Sequence, residues 1–170
     1  MSAQNLMNSF LDTANEEAEF STEFLLCPEI DSAPATVKKW DWQAGTYTDK
    51  NTQEEKPWAI LNLQWNVDSP EAREVVKRDE VIVRQSVSLA ITHDNKLDKD
   101  NNQALARLFK LFGIDPAGLT PKQIFDNFIG QYGYVKVQHR ALINKAKEPL
   151  LDDEGKQRYS AEVVAVGKGE

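Results

Sequence analysis

The apolar positions of residues 81–113 change their period once, and this change predicts a strand followed by a helix. Apolar and polar side chains alternate over residues 81–91, which is typical of a strand that buries one face. The residues predicted to face inward are Val81, Val83, Val87, Leu89 and Ile91. The helical spacing i, i+3, i+4, i+7 then links Leu105, Leu108, Phe109 and Phe112. Gly113 is predicted to end this helix.

Four further strands are predicted around this unit, at residues 35–43, 58–67, 132–143 and 158–166. A second, short helix is predicted to begin at Thr120, because Thr120 and Gln123 fit a capping box and Pro121 occupies the first helical position. Residues 68–79 are predicted to form a long loop or a short helical turn. The order of strand, strand, strand, helix, strand, strand predicts a mainly β fold with helices. We expect a five-stranded Greek-key OB-fold barrel with a helix between strands 3 and 4.

The N-terminal part of the chain differs from the rest in its charge. Residues 1–34 contain seven acidic residues and no Lys or Arg, whereas the remaining residues are balanced, so the net charge of −7 belongs to this end. Apolar residues at helical spacing within residues 1–29 predict an amphipathic helix. We therefore predict two parts, an acidic amphipathic N-terminal arm at 1–34 and an OB-fold domain at 35–170, joined by a linker between Pro28 and Pro34.

Two interpretations of this acidic arm remain open. Its apolar stripe could pack against its own barrel, as such stripes usually do. Alternatively, the arm could mimic nucleic acid over a binding groove, or bind replication or recombination proteins.

The bulk composition limits the class of protein. With 170 residues and 41% apolar content, the chain can build one buried core. Cys27 is the only cysteine, which excludes an internal disulfide and fits a reducing compartment. No apolar run is long enough to span a membrane, so we expect a cytoplasmic protein that binds no membrane.

The sequence contains no recognisable catalytic or metal-binding motif. His93 and His139 are the only histidines, and neither belongs to a nucleophile elbow, a phosphate loop or a zinc helix. The acidic loop at residues 93–101 lacks the central Gly and terminal Glu of an EF-hand and is predicted to be a solvated turn with helix-capping Asn or Asp side chains. We therefore predict a protein that is not an enzyme and that holds no metal and no cofactor.

Binding to a single nucleic-acid strand requires rings on which bases stack and cations that follow the phosphates. The predicted strands supply both. The candidate nucleic-acid-binding residues are Lys38, Lys39, Trp40, Trp42, Arg84, Tyr134, Lys136 and Arg140. Although Trp40 and Trp42 alternate with Lys39 along the first strand, we expect the whole set to gather on one outer surface of the barrel.

Some of these residues also fit a structural role. Trp65 is predicted to lie in the core, and Trp58 is left unassigned. Trp40 and Trp42 fit the core as well as they fit a stacking role. Lys136 and Arg140 could equally be the charged outer face of an edge strand.

The chain resembles the OB-fold single-stranded DNA-binding proteins that tailed phages encode. The resemblance is carried by five stretches, at residues 37–42, 58–67, 81–92, 102–113 and 130–138, and it spans roughly residues 35–166. It implies a protein that coats single-stranded DNA during phage replication or recombination, in the host cytoplasm. Unlike bacterial relatives of that family, this chain has no acidic C-terminal tail with an apolar tip, which puts recruitment of partners through the C-terminus in doubt.

The leading prediction is therefore a non-catalytic single-stranded DNA-binding protein. The alternative is a β-barrel module that binds protein, such as a phage structural or host-takeover factor, and the acidic net charge favours it. The sequence leaves open whether the chain associates with itself, whether DNA is preferred over RNA, and which proteins it contacts.

Overall fold

The computed structural model describes residues 3–14 and 25–169 of the chain. Its helices in these ranges are α1 (Ala3–Asp12), α2 (Pro70–Val76), α3 (Gln103–Phe112) and α4 (Pro121–Asp126). Its strands are β1 (Ile30–Thr48), β2 (Glu55–Val67), β3 (Ile82–Leu89), β4 (Tyr132–Ala141) and β5 (Tyr159–Gly167). Helix α1 covers part of the predicted N-terminal arm, and residues 15–24 of that arm lie outside the described residues.

The five strands form one sheet in which hydrogen-bonded neighbours follow the order β1-β2-β3-β5-β4. The last strand in this order, β4, also pairs with the first, β1. The neighbours are antiparallel except β3 and β5, which are parallel and share a single pair, Arg84 with Glu162. The sheet therefore closes irregularly between β3 and β5. The predicted number of strands and the helical segment between the third and fourth strands are confirmed, and the fold is mainly β.

The core lies between the inner face of the sheet and helices α3 and α4. Of the residues predicted to face inward, Val81, Val83, Val87 and Leu89 are buried, whereas Ile91, beyond the end of β3, is partly buried. Leu105 and Leu108 of α3 are buried as well. Trp65 is fully buried, and its Nε1 donates to Gln85 Oε1 at 2.9 Å, which satisfies the indole N–H inside the core. The ring of Phe112 lies 6.0 Å from that of Trp65. The prediction that Trp65 belongs to the core is confirmed.

Strand β1 begins at Ile30, five residues before its predicted start, so the predicted linker between Pro28 and Pro34 is wrong. Ala33 and Ala35 are buried and pair with β4, at Val135 and Gly133. Proline is tolerated inside a strand next to a bulge, and Pro34 follows the register shift between Ile30 and Ala33.

Strand β3 ends at Leu89, before the end of the predicted alternation at Ile91, because the side chain of Asn102 makes the hydrogen bonds that a further strand partner would make. Asn102 Oδ1 accepts from the Ala90 N–H at 2.8 Å, and Asn102 Nδ2 donates to the Ala90 carbonyl at 2.9 Å and to the Asp98 carbonyl at 2.7 Å. Asn102 occupies the N-cap position of α3 but makes no side-chain cap bond. Its amide instead fixes the preceding loop.

The connection between β4 and β5 is organised around one side chain in a similar way. The backbone N–H groups of Leu142, Leu150 and Arg158 donate in a cycle, each to the carbonyl of another member of this trio. Gln157 Nε2 lies among the three carbonyls and donates to Leu142 O at 2.8 Å, Leu150 O at 3.2 Å and Arg158 O at 2.8 Å. This loop, residues 142–158, is therefore held by hydrogen bonds although only isolated bridges pair within it.

Helix α2 occupies the predicted loop or helical turn between the second and third strands. Ser69 caps it by accepting from the Ala72 N–H at 3.2 Å. Within the described ranges, no helix combines the length and the apolar character needed to cross a lipid bilayer.

Candidate nucleic-acid interface

The strand register defines a surface that we call the outer face, on the side of β1, β2 and β3 that points away from the core. Directly paired residues of neighbouring strands lie on the same side of a sheet. The outer face therefore consists of three cross-strand rows, namely Lys39–Gln64–Arg84, Asp41–Asn62–Ser86 and Gln43–Ile60–Ser88. Two further pairs, Gly45–Trp58 and Tyr47–Lys56, continue it along the β1–β2 hairpin.

A β-bulge at Lys38 determines which residues of β1 reach this face. Val37 points into the core, and simple alternation would direct Lys39 inward as well. The register shift between Val37 and Lys39 inserts one residue, so Lys39 pairs with Gln64 on the outer face. The same shift places Trp40 and Trp42 opposite Leu63 and Leu61, on the inner side.

The expectation that all candidate residues share one surface is therefore wrong. Lys39 and Arg84 lie on the outer face, in the row that crosses β1, β2 and β3. With neighbouring strands about 4.8 Å apart, their backbones are separated by about 10 Å. Trp40 and Trp42 lie on the opposite side of the same hairpin.

The outer face has two cations that are not neutralised by an ion pair. In the part of the chain that the structure describes, neither Lys39 nor Arg84 forms an ion pair. Lys38, in contrast, contacts Glu80 through an Nζ to Oε2 distance of 2.6 Å. Arg140 contacts Glu162 at 3.1 Å. These two predicted residues are therefore partly neutralised.

The two remaining candidates lie on β4. Tyr134 and Lys136 alternate with the buried Val135 and Val137, so they point away from the core and are half-buried. The Tyr134 ring is closely covered by the backbone of Gly169, because a Cβ placed at Gly169 would lie 2.2 Å from the ring. Tyr134 is therefore less open to a base than its neighbour Tyr132, which is exposed and lies edge-on to it at 5.7 Å.

The aromatic side chains on the outer face are Trp58 and Tyr47, which the sequence did not identify as site residues. Trp58 pairs with Gly45, and a Cβ at Gly45 would lie 2.8 Å from the indole Cζ2. The indole thus covers the glycine backbone with one surface, while 38% of the residue stays exposed. Tyr47 is 50% exposed and lies two residues beyond Gly45 along β1, on the same side of the hairpin.

The end of this hairpin is fixed by an ion pair. Lys56 Nζ lies 2.8 Å from Asp49 Oδ2. This contact lowers the pKa of Asp49 and raises the pKa of Lys56, since each charge stabilises the other. Both groups therefore stay charged at neutral pH, next to Tyr47.

Trp40 and Trp42 line a separate concavity, which we call the tryptophan cleft. Trp40 is held by an edge-on contact with Phe125, with ring centres 5.3 Å apart, and its Nε1 donates to Asp126 Oδ1 at 2.9 Å. Trp42 is 57% exposed. The cleft has a volume of about 500 Å³, and its lining residues are Trp40, Trp42, Leu89, Ile91, Asn95, Lys96, Leu97, Pro121, Lys122 and Phe125.

Comparison of the chain with protein-family models and with curated protein sequences found no match. Among residues 3–14 and 25–169, no group of three or more His, Cys, Asp or Glu side chains is arranged to hold a metal ion.

Proposed function

We propose that the protein binds single-stranded DNA along the outer face and that it has no catalytic activity. The fold that we propose for it is an OB-type Greek-key barrel. The strand order β1-β2-β3-β5-β4, the return of β4 to β1 and the helices between β3 and β4 support this assignment. OB folds bind oligonucleotides on the face formed by strands 2 and 3 and on the adjoining hairpin loops.

The observation that carries the proposal is the coincidence of Trp58, Tyr47, Lys39 and Arg84 on one face. Two exposed rings and two unpaired cations follow the same side of β1, β2 and β3. Bases would stack on the rings, and phosphates would pair with the cations. Ser86 and Ser88 have short side chains, which allow a strand of DNA to approach the backbone between them.

The protein would coat single strands during phage replication or recombination, in the host cytoplasm. This role requires little sequence specificity, and the outer face fits it because stacking accepts every base. Contacts with replication or recombination proteins would be additional to this activity.

A titration with oligothymidylate tests the proposal. Base stacking on Trp58 should quench tryptophan fluorescence at low salt, and the affinity should fall steeply as salt is raised, because phosphate contacts release counterions. The duplex of the same length serves as a control and should bind more weakly, since its bases are not available for stacking. A flat titration with the single strand at low salt would contradict the proposal.

The second candidate function is a β-barrel module that binds or assembles with protein. The net charge of −7 favours it, because proteins that bind nucleic acid usually carry a basic surface excess. On this alternative, the rings of the outer face would contact a protein, and neither single-stranded DNA nor single-stranded RNA would change the fluorescence.

A further inference from the structure

We propose that the tryptophan cleft is a second binding site, which takes an apolar or aromatic side chain of a peptide flanked by acidic residues. The site is distinct from the outer face, because Trp40 and Trp42 lie on the opposite side of the β1–β2 hairpin from Lys39 and Trp58. A partner protein and a DNA strand could therefore bind to the two sides of one hairpin at the same time.

The size and the lining of the cleft fit side chains of a peptide. A volume of about 500 Å³ lies within the range of ligand-binding pockets. Its walls are the rings of Trp40, Trp42 and Phe125 together with the aliphatic side chains of Leu89 and Ile91. An apolar side chain that enters these walls gains the burial of its surface and leaves no polar group without a partner.

The same lining disfavours a nucleobase. The polar edge of a base loses its hydrogen bonds to water on entering an apolar pocket, and each donor or acceptor left without a partner weakens binding. Among the described residues that line the cleft, Asn95 is the one with an amide side chain, and the indole N–H of Trp40 already donates to Asp126. A base would thus find few partners here.

The charge at the rim indicates acidic residues next to the apolar anchor. Lys96 and Lys122 line the cleft from two different segments, and neither forms an ion pair among the residues that the structure describes. Two cations around an apolar pocket complement a peptide that carries carboxylates on either side of its anchor. Trp42, which is more than half exposed, would close one side of the pocket over the anchor.

The core of the site is built rigidly enough to recognise one shape. Trp40 is fixed by its hydrogen bond to Asp126 and by the Phe125 ring, and Phe125 is itself buried in the core. Pro121 and Lys122 begin helix α4, whose capping box at Thr120 and Gln123 fixes the first turn. The pocket is therefore preformed on its α4 side.

Fluorescence anisotropy with two labelled peptides tests the inference on the full chain. The first peptide has an Ile-Phe pair between aspartates, and the second has the same pair between lysines. The acidic peptide should bind, and the basic peptide should bind about tenfold more weakly or not at all. Equal binding of the two peptides, or no binding of either, would overturn the inference.

Variants locate the binding and separate the two sites. Trp42→Ala, and separately the Lys96→Glu, Lys122→Glu pair, should weaken binding of the acidic peptide by about tenfold or more. The Lys99→Glu, Lys110→Glu pair changes the net charge equally at exposed positions outside the cleft lining and should leave peptide binding unchanged. Thermal denaturation checks that each variant is folded. If the control pair weakens binding as much as the cleft pair does, the attraction is only a general charge effect and the assignment to the cleft fails.

Competition with oligothymidylate decides between peptide and nucleic acid. If the cleft binds peptide and the outer face binds DNA, saturating oligothymidylate leaves the peptide bound, and Trp58→Ala weakens only DNA binding. Displacement of the peptide by oligothymidylate, with loss of both ligands in Trp42→Ala, would assign the cleft to nucleic acid and overturn the inference. Failure of the DNA proposal alone would leave peptide binding intact.

Discussion

Trp58 and Trp42 are two exposed tryptophans on opposite sides of one hairpin, and they provide a matched pair of substitutions. Trp58→Ala removes the ring that covers Gly45 on the outer face, and Trp42→Ala removes a ring from the tryptophan cleft. Only one surface of the Trp58 indole is open, because the other lies against Gly45, so it can stack on one base. Stacking is worth about 1–3 kcal/mol per base, which corresponds to roughly 5- to 150-fold in Kd.

We therefore expect Trp58→Ala to weaken oligothymidylate binding within this range and Trp42→Ala to change it by less than about twofold. Anisotropy of a labelled oligonucleotide is the suitable assay, since both variants alter the intrinsic fluorescence. Thermal denaturation should show that both variants remain folded, because both residues are exposed.

Gly45→Ala gives an independent check on the same ring. Its new Cβ would collide with the Trp58 indole and displace the ring without removing it, so binding should weaken in the same direction. If Trp42→Ala weakens binding as much as Trp58→Ala, or more, the division of the hairpin into two faces is refuted.

Three further predictions address charge, the loop between β4 and β5, and the buried thiol. Lys39→Ala and Arg84→Ala should each reduce the slope of log K against log salt for oligothymidylate by about 0.7, whereas Lys110→Ala on α3 should leave the slope unchanged. Gln157→Glu keeps the size of the side chain but removes the amide N–H groups that donate to three carbonyls. It should lower the free energy of unfolding by about 1–3 kcal/mol in thermal denaturation and increase hydrogen exchange over residues 142–158. Gln43→Glu, at an exposed position, should have little effect on either measurement. Burial raises the pKa of the Cys27 thiol from 9.0 to about 11, so iodoacetamide should modify it slowly at pH 8 in the folded protein and rapidly in urea. The thiol of the unfolded chain ionises at lower pH than that of the folded protein, so the contribution of Cys27 to stability should decline as pH rises from 9.0 to about 11. In urea denaturation, a Cys27→Ala variant should lack this decline. A parallel decline in the variant would exclude Cys27 as its source.

Much of the fold could be predicted because the periodicity of the apolar residues is strong. The alternation in β3 and the helical spacing in α3 correspond to buried residues in the structure. The ends of β3 and β1 could not be predicted in the same way. β3 ends early because the amide of Asn102, twelve residues further along the chain, bonds Ala90, and β1 starts early because Ala33 and Ala35 pair with β4. Both effects depend on contacts between distant segments.

The candidate site was predicted less well, and the physical reason is one inserted residue. The bulge at Lys38 reverses which residues of β1 point inward, and alternation within the strand does not reveal where a bulge occurs. Lys39 and Arg84 were predicted and do share a face. Trp58 and Tyr47 were missed, although a tryptophan that can pair with Gly45 across a hairpin was a usable signal, since aromatic rings often cover glycines in paired strands.

Photochemical crosslinking tests most directly whether the outer face binds single-stranded DNA. Oligothymidylate carrying 5-iododeoxyuridine would be bound at low salt, irradiated and mapped on the protein by mass spectrometry. If the outer face binds the strand, crosslinks should form at Trp58 or Tyr47, with Trp42 unmodified. Crosslinks confined to Trp40, Trp42 or helix α4, or the absence of any crosslink from a saturated complex, would show that DNA does not bind along the outer face.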